Sequence, residues 1–83
     1  MSTKLFVGSL PWAVNDDSLK TAFESYGSVV SAKVITDRQT GRSRGFGFVE
    51  MENETDANAA IKALNGSLLQ GRTIIVNEAK PKS

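Results

Sequence analysis

Phe46 and Phe48 stand two residues apart in the run Arg44-Gly45-Phe46-Gly47-Phe48-Val49-Glu50-Met51. A phenyl ring offers a flat face for stacking another planar group, and a neighbouring arginine can hold an anion. The run has the composition of a strand, in which alternate residues share a face. Gly45, Gly47, Val49 and Met51 then lie on one side, and Arg44, Phe46, Phe48 and Glu50 on the other. Burying the rings would drag Arg44 and Glu50 into the core, and a buried unpaired charge is very costly. Burying Val49 and Met51 needs only glycines beside them, so the rings are expected on a solvent-facing sheet. Lys4-Leu5-Phe6-Val7-Gly8-Ser9-Leu10 repeats the arrangement, with Leu5 and Val7 on one side and Lys4 and Phe6 on the other.

Other chemistries are poorly supplied. The chain has no histidine and no cysteine among its 83 residues, which removes the commonest general base, the commonest metal ligands and any disulfide framework. The expectation is a binding protein rather than an enzyme, with no metal and no cofactor. The length suits one domain, placed at 1–79, with Lys80-Pro81-Lys82-Ser83 as a short basic tail. Met1-Ser2-Thr3-Lys4 leads into a strand without the apolar stretch of a signal peptide, and no apolar run reaches membrane-spanning length. A soluble, monomeric, cytoplasmic protein with no membrane partner is the simple expectation, with nucleus or organelle as the eukaryotic alternatives.

The elements that must hold the rings read off in order. After the first strand, Pro11 and Trp12 break the chain, Trp12 reading as a loop anchor rather than a base platform. Asn15 caps a helix whose first turn carries Asp16 and Asp17, with Leu19, Ala22, Phe23 and Tyr26 at helical spacing. A strand over 29–36 is expected to turn Val30, Ala32 and Val34 inward. The polar basic stretch 37–43 then turns the chain antiparallel into the strand of Phe46 and Phe48. Asn53, Glu54 or Thr55 caps a second helix with Ala57, Ala60, Ile61 and Leu64 inward, ended by Asn65-Gly66. A short loop closing at Gly71-Arg72 leads to a last strand over 73–79, with Ile74 and Val76 inward. The order strand, helix, strand, strand, helix, strand predicts an α+β, ferredoxin-like βαββαβ sandwich: a four-stranded antiparallel sheet with both helices on one face. The first and third strands become central, so Phe6, Phe46 and Phe48 cluster in the middle of the bare face.

Charge divides the same way beneath a formal net charge of only +1. The open face, its hairpin loop and the tail carry Lys4, Lys33, Arg38, Arg42, Arg44, Lys80 and Lys82 against Asp37, Glu50 and Glu78, while the helices and caps are mainly acidic. Exposed rings framed by cations suit a single-stranded nucleic acid, whose bases stack while its phosphates pair with Lys and Arg.

These residues carry a family resemblance. Arg44 to Met51 resembles the octamer signature of the RNA recognition motif, and Leu5 to Leu10 resembles its hexamer signature. The Leu-Pro-Trp loop, the Thr-Gly-Arg-Ser-Arg-Gly hairpin and the Asn-Gly after the second helix extend the likeness over essentially the whole chain. It is most similar to the short single-motif type of bacteria and of plant glycine-rich RNA-binding proteins, with no glycine-rich tail following. The resemblance implies a module for single-stranded RNA, with weaker binding of single-stranded DNA, acting in post-transcriptional regulation or RNA chaperoning. It maps the stacking positions onto Phe6, Phe46 and Phe48, the phosphate-contacting basic position onto Arg44, and a path for the nucleotides along Asn77 to Lys80. Lys4, Lys33, Arg38 and Arg42 complete the expected polar contacts; for Arg38 and Arg42 a solvated hairpin is an equal reading. Two positions depart from the family pattern. Met51 replaces the usual last aromatic of the octamer and, being inward by parity, bears on packing; Ser9 stands where the hexamer often has Asn and bears on the turn after the first strand.

Two other function classes share this topology. A protein-binding variant of the fold would dock a peptide on the same face, which intact rings in both motifs argue against. An acylphosphatase-like hydrolase of this topology would want an arginine in the loop after the first strand, and Ser9 to Asp17 contains none.

Overall fold

The computed structural model describes residues 2–11, 13–36, 39–41 and 43–79, with the side chains of Ser43 and Arg44 outside that description. Strand β1 (Thr3–Gly8) is followed by helix α1 (Asp16–Glu24), strands β2 (Val29–Thr36) and β3 (Ser43–Met51), helix α2 (Glu54–Leu64), a short ribbon β4 (Leu68–Leu69) and β5 (Arg72–Thr73), and strand β6 (Ile75–Glu78). The main sheet runs β2-β3-β1-β6, every neighbouring pair antiparallel. The expected ferredoxin-like architecture is therefore present, with β1 and β3 at its centre.

Both helices begin at asparagine caps. The Asn15 side chain accepts from the Ser18 amide at 2.8 Å, and Asn53 from the Thr55 amide at 2.9 Å, satisfying amides that have no partner within the helix. Acidic first turns add a favourable interaction with the helix dipole. Leu19 and Phe23 of α1 and Ala57 and Ala60 of α2 are buried against Leu5, Val7, Val34, Val49, Met51, Ile74 and Val76 of the sheet. The core thus lies between the helices and one face. Met51 is fully buried, as its parity required.

Three details differ from the sequence expectation. The first is Val30, which is 55% exposed, while Val29 and Ala32 pack on the core. A register shift between Val29 and Ser31 breaks the alternation of β2 there, because a bulge adds a residue without a partner. The second is the β4–β5 ribbon, which precedes a last strand shorter than expected. Gln70 and Gly71 both adopt positive φ, 50° and 87°, between Leu69 and its partner Arg72; this is the tight two-residue turn whose twist suits a hairpin. The third is Glu78, which shares the parity of buried Val76 and stands opposite Leu5, so it belongs to the helix side of the sheet rather than to the ring face.

Both edges of the sheet receive side-chain acceptors. Asp16 Oδ1 accepts from the Val34 amide of β2 at 2.7 Å, and Asn65 Oδ1 from the Val76 amide of β6 at 3.0 Å. Such contacts occupy edge amides that would otherwise be open to another strand.

Candidate nucleic-acid interface

The register of the sheet assembles the face opposite the helices. Lys33 of β2 lies across from Phe48 of β3, Phe48 across from Phe6 of β1, and Phe6 across from Asn77 of β6, forming one row over all four strands. The adjoining rows bring Phe46, Gly8 and Ile75 together on one side, and Ser31, Glu50 and Lys4 on the other. The three rings are half-buried and in mutual contact: Phe6 to Phe46 is 5.9 Å between centroids, Phe6 to Phe48 5.9 Å, and Phe46 to Phe48 6.2 Å. Their planes meet at 33°, 64° and 88° respectively, tilted and edge-to-face geometries in which aromatic pairs attract. Packing on each other fixes the rings, which remain half-buried rather than enclosed in the core.

Glycines shape this platform by lacking side chains. The Phe6 ring leans over Gly8, where a Cβ would approach it to 3.0 Å. At Gly47 a Cβ would lie 2.5 Å from the Lys33 carbonyl oxygen and 3.2 Å from Leu19 Cδ2, so β3 presents its rings while β2 and α1 press close behind. Gly47 thus serves close packing of the strand against its neighbours. Gly45 acts otherwise. Its φ of +85° falls within the register shift that pairs Gly47 with Val34 but Ser43 with Thr36, an irregularity a glycine accommodates without strain. Its carbonyl accepts from the Leu10 amide at 2.8 Å, tying the turn after β1 to the start of the ring strand. Ser9, in that turn, has a φ of +57°, a region that asparagine enters more readily than other side chains. The departure from the family's usual residue therefore falls at a position where residue type matters to the backbone.

The expected polar residues divide into two groups. Lys4 is exposed, with its Nζ 5.7 Å from the centroid of the Phe48 ring, within the range of a cation–π contact. Lys33 and Asn77 are exposed at the two ends of the Lys33-Phe48-Phe6-Asn77 row. Arg38, Arg42 and Lys80, together with Trp12, lie outside the described residues, as does the side chain of Arg44. A register shift interrupts the regular pairing of β3 at Gly45, and the assignment of Arg44 to a phosphate follows the family pattern.

Ile75 was missed by the sequence reading. It is 46% exposed and lies across from Gly8, extending the apolar surface beyond Phe46; its signal was the alternation that turns its neighbours Ile74 and Val76 inward. Glu50 is half-buried on this face and accepts a hydrogen bond from the Ser2 hydroxyl. Among the described residues no three acidic, cysteine or histidine side chains gather to hold a metal ion, and no helix is long and apolar enough to cross a membrane.

A four-stranded antiparallel sheet covered by two helices, with three contacting phenylalanines on its bare central strands, defines the domain class of the RNA recognition motif. The sequence model of that family matches residues 5–75, and the chain belongs to it. Among its relatives, glycine-rich RNA-binding protein 4, mitochondrial, of Arabidopsis thaliana is 58% identical over the whole chain, which spans 61% of that protein. The chloroplastic RNA-binding protein CP31B of the same plant is 51% identical over 96% of the chain, which spans 28% of it. Of solved structures, that of RNA-binding protein PG1 superposes with a TM-score of 0.91 at 51% identity, covering 98% of each chain. A Sex-lethal protein/RNA complex gives 0.88 at 39% identity over 93% of this chain and 47% of the other.

Proposed function

We propose that the bare face of the sheet binds single-stranded RNA, with bases stacked on Phe6, Phe46 and Phe48 and the backbone held by Lys4, Lys33, Asn77 and the basic residues Arg38, Arg42, Arg44 and Lys80. The observation that carries this reading is the contact of three rings on the one face that no helix covers. Flat surfaces of this kind bind bases with little dependence on sequence, contributing about 1–3 kcal/mol per stacked base. The RNA-binding relatives, and the RNA complex among the structural neighbours, support the same ligand. The domain works as a monomeric binding module rather than an enzyme, binding single-stranded DNA more weakly, in post-transcriptional regulation or RNA chaperoning. Its cysteine-free composition supports the cytoplasm as the place of action; the organellar names of the Arabidopsis relatives support the organelle as a second reading, and cell fractionation separates the two. Docking of a peptide on this face is not favoured, since the rings of both motifs are intact.

The reading is tested by titrating the Phe46→Ala/Phe48→Ala double variant with a short single-stranded RNA. Loss of two stacking surfaces should weaken binding at least about thirtyfold, from the per-base stacking energy, in a protein that keeps its helical circular dichroism. A folded double variant that binds like the parent would refute the stacking model. Val49→Asp places a charge in the core and should unfold the domain instead.

A further inference from the structure

Glu50 puts a negative charge on a face otherwise suited to a polyanion. It follows Phe48 by two residues on the same side of β3, about 7 Å along the strand, and stands directly across from Lys4, whose ammonium lies over the Phe48 ring. Glu50 is half-buried beside the platform, and its carboxylate receives the Ser2 hydroxyl on one oxygen in an exposed contact. That bond leaves the other oxygen and the remaining lone pairs available, because each carboxylate oxygen accepts more than one donor. A base stacked on Phe48 would turn one edge toward this side chain, the next residue along the same face of the strand.

The four bases differ in what they would present to it. Guanine alone has two adjacent donors, N1–H and N2–H, on its Watson–Crick edge, matching the two oxygens of a carboxylate. Adenine and cytosine place a ring-nitrogen acceptor beside their single amino group, and uracil flanks its N3–H with two carbonyl oxygens; each sets an acceptor against the negative charge. Single-stranded RNA is read on these edges, and a bidentate pairing of side chain with base is what separates one base from another.

We infer that Glu50 is a specificity-determining residue, selecting guanine at the nucleotide stacked on Phe48, with Ser2 positioning its carboxylate. This rests on the RNA-binding reading of the open face. The test compares uridine-flanked oligoribonucleotides bearing one central guanosine, adenosine, cytidine, uridine or inosine, by fluorescence anisotropy, with the parent and with Glu50→Gln. Inosine keeps N1–H and lacks the 2-amino group. The parent should bind the guanosine oligomer about tenfold more tightly than the other four. Glu50→Gln should lose that preference while binding the uridine oligomer as well as the parent or better, because a negative charge has been removed. Equal affinity of the parent for guanosine and inosine oligomers, or a guanine preference that survives in Glu50→Gln, would overturn the inference and leave RNA binding standing. A parent that binds none of the oligomers would overturn both.

Discussion

Two residues next to the platform govern it through backbone geometry rather than contact with a ligand. Ser9 sits in the left-handed region immediately after β1, a conformation that costs an ordinary side chain about 1 kcal/mol or more and an asparagine less. Gly45 answers it across the sheet with its own positive φ and a carbonyl that receives the Leu10 amide. The turn therefore registers β1 against β3, and with them Phe6 against Phe48. Ser9→Asn should raise stability by about 0.5–1 kcal/mol in urea-induced unfolding and leave RNA affinity unchanged; a destabilised variant would show that the serine hydroxyl contributes more than the asparagine relieves. The parity of Phe6, Phe46 and Phe48 was legible at this scale, because period-two alternation turns Val49 and Met51 inward and keeps Glu50 out of the core. The positive φ of Gly45 was not, since period-two reasoning passes through that residue as though the strand were regular.

At the level of elements, β2 carries two tests of how the sheet is held. The strand lies so close to β3 at Gly47 that an added Cβ would meet the Lys33 carbonyl at 2.5 Å, and backbone cannot yield as a flexible side chain can. Gly47→Ala should lower stability by about 2–3 kcal/mol, at the upper end of overpacking costs, read as a reduced denaturant midpoint; an unchanged midpoint would contradict the close approach. On the outer edge of β2, Asp16 Oδ1 holds the Val34 amide. Asp16→Ala should cost about 1–2 kcal/mol through the lost bond, while Asp16→Asn, which keeps an acceptor oxygen, should lose much less; equal losses would assign the effect to first-turn charge instead. Element order and helix caps were readable because apolar spacing, Asn15 and Asn53 state them locally. The outward turn of Val30 and the ribbon around Gln70-Gly71 were not. A bulge depends on how two strands pair rather than on either sequence, and Gln-Gly is a weaker turn signal than Asn-Gly.

For the molecule as a whole, the two faces of one sheet do different work. One carries the aliphatic residues that bury against α1 and α2 and supply the hydrophobic stabilisation; the other carries rings, exposed lysines and a single row of contacts from Lys33 to Asn77. The near-zero net charge conceals this division, and placing Glu78 on the helix side sharpens it. On the proposed reading binding and stability are separable: substitutions on the ring face should alter affinity, and those behind it folding. The most direct test of this account is a map of amide and aromatic chemical-shift changes as a short single-stranded RNA is added. The largest changes should fall on β1 and β3 around Phe6, Phe46 and Phe48, extend to Lys33 and Asn77 at the ends of their row, and leave the outer surfaces of α1 and α2 unmoved. Changes concentrated on the helices, with the three rings undisturbed, would contradict it.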